Sequence, residues 1–353
     1  MHHEHVLNTK IGRLFMAGIP GTRLDDDTDA LIRHYCIGGV ILFSRNIEDP
    51  VQLAALCNDL QDRAIRYHNI PLFLAVDQEG GRVARLKGPF TAFAGNTAIG
   101  DDPYPVDRAV EFARVTAEEM RLVGLNMDLA PVVDVRRGEP ETHLVGRTFS
   151  DDPEKVSLLG RTVVKVLQEN GVMATAKHFP GLGKTSLDPH HHLPTIDADL
   201  EEIETVNLPP FRAAIDEGVS SIMTSHAIYP ALDPDNPATL SYKILTDLLR
   251  GTLGFKGLVI SDDLEMGAIK KKWGVSDGAV ASFMAGNDIL LICQEQGMVV
   301  ESINALREKI TGGEIHPDRL ELSLGRIEKT KSAFLGGDTK TASLEKVATY
   351  FKL

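Results

Sequence analysis

Eight short apolar runs, separated by amphipathic stretches, constrain the fold of this sequence more than any other feature. They are Leu14–Ile19, Gly39–Phe43, Leu72–Asp77, Leu125–Ala130, Met173–Phe179, Ser221–His226, Leu258–Asp262 and Asp288–Cys293. Short runs rich in Val, Ile and Leu, bounded by turn residues, read as strands buried on both faces. Helical patterns lie between them near 25–35, 50–68, 106–123, 153–170, 201–217, 242–252 and 276–286, with two more near 296–310 and 317–334. Asp49-Pro50 and Asp152-Pro153 each set an N-cap ahead of a proline suited to the first helical position. Strands alternating with helices pair in parallel. Eight such units favour a single closed (β/α)8 barrel of the TIM type over an open doubly wound sheet. No linker or low-complexity block divides the chain, so residues 1–353 are read as one domain. The polar stretch after about 336 is expected to pack outside the barrel or to fray.

Charge and composition narrow the partners. A net charge of −13 opposes binding to a nucleic-acid backbone, which needs clustered cations. No run approaches the ~18 uninterrupted apolar residues of a membrane span. Met1-His2-His3-Glu4-His5 lacks the basic-then-apolar pattern of a secretory signal, and its histidines are not read as a metal site. Cys36, Cys57 and Cys293 are far apart and odd in number, which suits buried free thiols in a reducing compartment. The expectation is a cytoplasmic monomer that handles a small molecule.

A barrel places its chemistry at the C-terminal ends of its strands. Polar residues collect there: Asp77 before Gln78-Glu79-Gly80-Gly81-Arg82, then Asp128 and Asp134, Lys177-His178, Ser225-His226 and Ser261-Asp262-Asp263. Taken alone, Asp262 fits a nucleophile, a metal ligand or a helix N-cap. Asp77 with Arg82 and Arg85 fits a grip on sugar hydroxyls, or an ion pair that merely orders a loop. The loop after Lys177-His178-Phe179-Pro180-Gly181 carries Asp188 and His190 two positions apart. Asp188 there would orient His190 for proton transfer. His190, His191 and His192 with His178 and His226 also suggest a metal. Against that, strand one ends in Ala17-Gly18-Ile19-Pro20, without the early His-x-His of many metal-dependent hydrolases on this barrel. Plain exposed loop polars are the third reading.

Four ordered motifs resemble those of glycoside hydrolase family 3, over roughly Ile11 to Phe334. They are Val76-Asp77-Gln78-Glu79-Gly80-Gly81-Arg82-Val83, Gly146-Arg147-Thr148-Phe149, Lys177 through His190, and Ile260-Ser261-Asp262-Asp263-Leu264. Within the family the chain looks like the bacterial cytoplasmic β-N-acetylglucosaminidases of peptidoglycan recycling. The resemblance implies Asp262 as the nucleophile of a retaining exo-glycosidase, His190 as acid/base and Asp188 as its orienting partner. It implies Asp77, Arg85, Arg147, Lys177 and His178 as the residues holding the sugar. It calls for no cofactor and no metal. The substrate implied is a carbohydrate, terminal β-linked GlcNAc on a 1,6-anhydro-MurNAc muropeptide. Two positions depart from the pattern: Leu182 stands where relatives commonly have His, and Pro189 where Ser is usual. Proline removes a donor and fixes φ, so the loop's closed form is expected to differ while no chemical role is deleted.

The competing readings are a family-3 β-glucosidase or β-xylosidase, a GlcNAc phosphorylase, a metal-dependent amidohydrolase and a non-catalytic sugar-binding barrel. Relatives cleaving glucosides and xylosides usually take a Glu acid/base from an additional domain, which the Asp188/His190 pair makes unnecessary.

Overall fold

A computed structural model describes residues 2–138, 143–185, 187–336 and 341–353. Eight parallel strands close into a barrel: β1 (Phe15–Gly18), β2 (Gly39–Leu42), β3 (Phe73–Val76), β4 (Met127–Asp128), β5 (Met173–Phe179), β6 (Ser221–Thr224), β7 (Leu258–Asp263) and β8 (Ile289–Ile292). Each strand pairs with its neighbours in sequence, and β8 closes onto β1 through Phe15 opposite Leu290. The expected (β/α)8 barrel is the fold. Every strand residue from β1 to β6 is buried, as parallel strands covered by helices require.

The expected strand over Leu125–Ala130 shortens to Met127–Asp128. Pro131 supplies no N–H, so pairing beyond it is carried by isolated bonds: Lys177 N–H to the Pro131 carbonyl at 3.1 Å and Val133 N–H to the Lys177 carbonyl at 2.8 Å. The helices form where capping and periodicity agree. Asp49 Oδ1 accepts from the Val51 and Gln52 N–H groups at 2.8 Å, opening helix Pro50–His68. Asp152 does the same for Pro153–Glu169 through the Glu154 N–H. In that helix Val156, Leu159, Gly160, Val163, Val164 and Leu167 form the buried face, at the spacing a 3.6-residue period demands.

Among the described residues, the short helices Asn96–Asp101 and Gly267–Lys270 and two terminal helices lie outside the pattern read from sequence. His2–Gly12 precedes β1 and Leu344–Phe351 ends the chain. The latter packs on helix Pro50–His68, with the Phe351 ring edge-on to Phe90 at 4.8 Å. Asn58 pairs with both backbone groups of Ala342 and so anchors the approach to it. No helix among the described residues is long and apolar enough to cross a membrane.

Candidate active site

The mouth of the barrel is built from an ionic wall on one side and a loop on the other. Lys177 lies near the end of β5, fully buried, with its Nζ 2.7 Å from Asp77 Oδ1 and 2.7 Å from Glu79 Oε1. Glu79 in turn accepts two parallel bonds from Arg147, Nε at 2.7 Å and Nη2 at 2.8 Å. Bidentate pairing fixes the guanidinium plane as well as its position. Gly80 and Gly81, at φ of 80° and 60°, turn the chain into a short hairpin that brings Arg85 back toward Asp77, 3.4 Å away. The Arg85 guanidinium also lies 5.5 Å from the Phe43 ring centroid.

Burial alone would raise the Glu79 carboxyl, but Arg147 and Lys177 overcome it and hold the group far below the ordinary carboxylate range. Lys177 is raised by the same balance: burial opposes its charge, while Asp77 and Glu79 favour it. Glu79 and Lys177 thus each favour the charged form of the other. Asp128, buried in β4, is the contrasting case. Burial pushes its carboxyl well up, and its Oδ2 has no hydrogen-bond partner among the described residues.

His178 follows Lys177 and is fixed by Asp134. Its Nδ1–H donates to Asp134 Oδ2 at 2.8 Å, which leaves Nε2 for a ligand. Asp134 Oδ1 also accepts the Leu182 N–H at 2.6 Å, tying the base of the following loop to β5. Leu182 is buried and lines the cavity, so the first departure puts an apolar surface on its wall.

Asp262 and Asp263 end β7 and divide the work between them. Both line the cavity; Asp263 Oδ1 accepts the Glu265 N–H at 3.1 Å and shapes the turn, while Asp262 starts no helix. Burial chiefly, with Glu265 and Asp262 adding repulsion, pushes the Asp263 carboxyl up to about 7. For Asp262 burial acts upward too, yet His226, His178, the Asp263 amide and Lys177 bring it below the usual range. Burial in turn lowers the His226 imidazole. The His226 Nε2–H donates to the Asp263 carbonyl at 2.9 Å and holds this strand end in place.

The loop opposite carries Asp188 and His190. Asp188 Oδ1 accepts from His190 Nδ1 at 2.7 Å and from the His190 N–H at 2.9 Å, so the ring presents Nε2. Burial would raise Asp188, but these two bonds lower it. His191 and His192 are exposed, and among the described residues no group of three His, Cys, Asp or Glu side chains is placed to hold a metal.

One cavity of about 220 Å³ is lined by Asp77, Arg85, Arg147, Lys177, His178, His190 and Asp262 together. Asp188 stands behind His190, and Arg82 is exposed outside the lining. Openings of about 280 and 890 Å³ lie at the other end of the barrel, away from this chemistry. Sequence reasoning assigned no role to Glu79, Asp134, Phe43 or His143, and considered His226 only as a candidate metal ligand. The first two were visible as acidic residues at strand ends, but their partners lie 68 and 44 residues away.

The model of the glycosyl hydrolase family 3 N-terminal domain matches residues 6–330. The chain is 35% identical over 334 residues to beta-hexosaminidase A of Pseudoalteromonas piscicida, covering 88% of this chain and 56% of that protein. It thus spans little more than half of that relative. With a beta-hexosaminidase of Pseudomonas aeruginosa the identity is 37% over 313 residues, covering 88% and 90%. Among solved structures, a glycoside hydrolase family 3 beta-N-acetylglucosaminidase from Paenibacillus sp. str. FPU-7 superposes with a TM-score of 0.91 at 37% identity, covering 98% of this chain and 68% of that one.

Proposed function

Because this chain belongs to glycosyl hydrolase family 3 and is a glycoside hydrolase, we propose that it is a retaining exo-β-N-acetylglucosaminidase with a histidine acid/base. The observation that carries the reading is the convergence of Asp262, the Asp188-tethered His190 and the ionic wall on one cavity. Asp262 attacks the anomeric carbon as a carboxylate, and its depressed titration keeps that form available. Protonated His190 gives the Nε2 proton to the departing glycosidic oxygen as the C1–O bond breaks. A glycosyl ester on Asp262 results. Neutral His190 then takes a proton from water as that water attacks C1 and displaces Asp262. Two inversions leave the β configuration.

Asp77, Arg85, Arg147, Lys177 and His178 bind the sugar. Carboxylate and cations match vicinal hydroxyls and the acetamido group. No cofactor enters. The substrate we assign is terminal GlcNAc on 1,6-anhydro-MurNAc muropeptides, handled in the cytoplasm by a monomer during peptidoglycan recycling.

The test is release of 4-nitrophenol from the β-N-acetylglucosaminide, beside the β-glucoside and β-xyloside, with EDTA and phosphate controls. Preferred, chelator-insensitive cleavage of the acetamido sugar is expected, followed by release of GlcNAc from anhydro-muropeptides by mass spectrometry. Preference for glucose or xylose would overturn the substrate, and a rate that rises with phosphate would make the enzyme a phosphorylase. A 5-fluoro glycoside should label the protein but not Asp262→Ala. Labelling of that variant would remove the nucleophile assignment.

A further inference from the structure

We infer that Gly267 is a positioning residue that sets how deeply the acid/base loop enters the pocket, an inference that rests on His190 being the acid/base. Three bonds dock the loop on the segment just beyond β7. The Gly267 N–H donates to the His190 carbonyl at 3.0 Å, the Ala268 N–H to the Pro189 carbonyl at 3.2 Å, and Lys271 Nζ to the His191 carbonyl at 2.8 Å. These are backbone acceptors on three consecutive residues. The loop is therefore held by its main chain, whatever the exposed imidazoles of His191 and His192 do.

Space explains the glycine. Gly267 opens the helical turn Gly267–Lys270 and needs no left-handed backbone. A Cβ built there would lie 2.8 Å from the His190 carbonyl oxygen and 3.1 Å from that of His191. Both obstacles are backbone, so relief requires the loop itself to lift. The docking segment follows Asp262 by five residues and is joined to it through the Asp263 turn, where the Met266 N–H bonds the Asp263 carbonyl at 3.0 Å. Nucleophile and acid/base are thus mounted on one short stretch of chain. Their separation is set by this contact and not by the long path through β5 and β6. The Pro189 departure fits the arrangement, since the contact uses the proline carbonyl and asks nothing of the missing N–H.

A loop lifted by one methyl group weakens proton delivery while leaving the sugar subsite and Asp262 unchanged. The readout is the dependence of kcat/KM on leaving-group acidity. The full-length chain is assayed on 2,4-dinitrophenyl, 4-nitrophenyl and phenyl β-N-acetylglucosaminides, as wild type, His190→Ala, Gly267→Ala and Lys271→Met. An acidic phenol departs without protonation and phenol does not. His190→Ala should lose about 10²–10⁴-fold on the phenyl glycoside and little on the dinitrophenyl one. Gly267→Ala should show the same tilt at smaller size, roughly 10–10²-fold on phenyl and under about 2-fold on dinitrophenyl. Lys271→Met, at an exposed side chain with no folding risk, should tilt the series by about 2- to 3-fold.

Equal loss on all three substrates, or none, for both Gly267→Ala and Lys271→Met would overturn the positioning role. A flat series for His190→Ala would instead remove the acid/base assignment, so the two failures are distinguishable.

Discussion

The two sides of the cavity are made by opposite physical strategies. On the β3–β5 side, Glu79 and Lys177 keep only 1% and 2% of their side-chain surface, and their charges are matched ion to ion. On the loop side, His190 keeps 58% and Asp188 28%, with a single side-chain contact between them. A desolvated, bidentate network holds its members within a fraction of an ångström, as recognition of a fixed sugar requires. The proposed proton transfer has another demand, because the same imidazole would meet first a leaving oxygen and then a water. In the proposed mechanism the binding groups are therefore welded into the barrel, and the acid/base is carried on an arm. Asp134 links the two sides by holding His178 with one oxygen and the base of the arm, through the Leu182 N–H, with the other.

The contrast is broken most severely at its buried end. Glu79→Ala takes from Lys177 one of its two carboxylate partners and from Arg147 its bidentate one, leaving both desolvated, so a loss of about 3–5 kcal/mol is expected. Urea unfolding checks this, and activity should vanish with the ordered wall. A loss below about 1 kcal/mol would mean that water or relaxation replaces Glu79, and that the wall is not rigid.

His190→Ala inverts that outcome. The residue is exposed and packs against nothing in the core, so unfolding free energy should move by no more than about 0.5 kcal/mol. Turnover of an unactivated glycoside should fall by about 10²–10⁴-fold. A stability loss matching that of Glu79→Ala would erase the distinction between wall and arm.

Asp134→Ala falls between them. It strands the His178 Nδ1–H and the Leu182 N–H, at a cost of about 1–3 kcal/mol. It should also raise KM and lower kcat together, because one carboxylate serves a binding residue and the arm's root. An effect on KM alone would confine Asp134 to the wall.

The barrel was legible in the sequence because strands buried on both faces have no polar side to hide them. The run before Lys177 is the clearest case, and β5 occupies the whole stretch expected of it, Met173–Phe179. Asp49-Pro50 and Asp152-Pro153 marked helix starts because a cap is a local event. Where the reading shortened, at Leu125–Ala130, Pro131 set the limit through backbone chemistry that apolarity does not report. Helix His2–Gly12 went unseen because its opening residues are histidines and its apolar face is weak. Within the site, Asp77 and Lys177 stood out by their place at strand ends and Arg147 by family resemblance, and the cavity does gather them. Glu79 and Asp134 were given no role, although both were in view. Their importance lies in pairing with Arg147 and His178 across the barrel mouth, and no periodicity or short spacing encodes such a pairing. Gly267 is harder still to read, since a glycine that clears a path for a distant loop resembles any other glycine at a helix start.

The smallest expected effect belongs to Asp263, which ends β7 beside Asp262. Its carboxyl titrates near 7 in the folded chain against 3.8 for an ordinary Asp. A raised folded value means that the native state binds a proton which the unfolded state has released. The stabilisation from that proton is complete below about 4 and is lost as pH rises toward 7 and beyond. Glu79 runs the other way, its depressed value giving stability that is present above its ordinary range and lost only on acidification. Replacing Asp263 by Asn removes the first slope and leaves the second. Part of the Asp263 side chain reaches solvent, so the gain relative to wild type at pH 8 should be about 1–2 kcal/mol, with none at pH 4. Urea unfolding of both proteins at the two pH values measures it. Parallel curves would mean that Asp263 is ionised in the native state at pH values well below 7, so that two adjacent carboxylates are charged together at the end of β7.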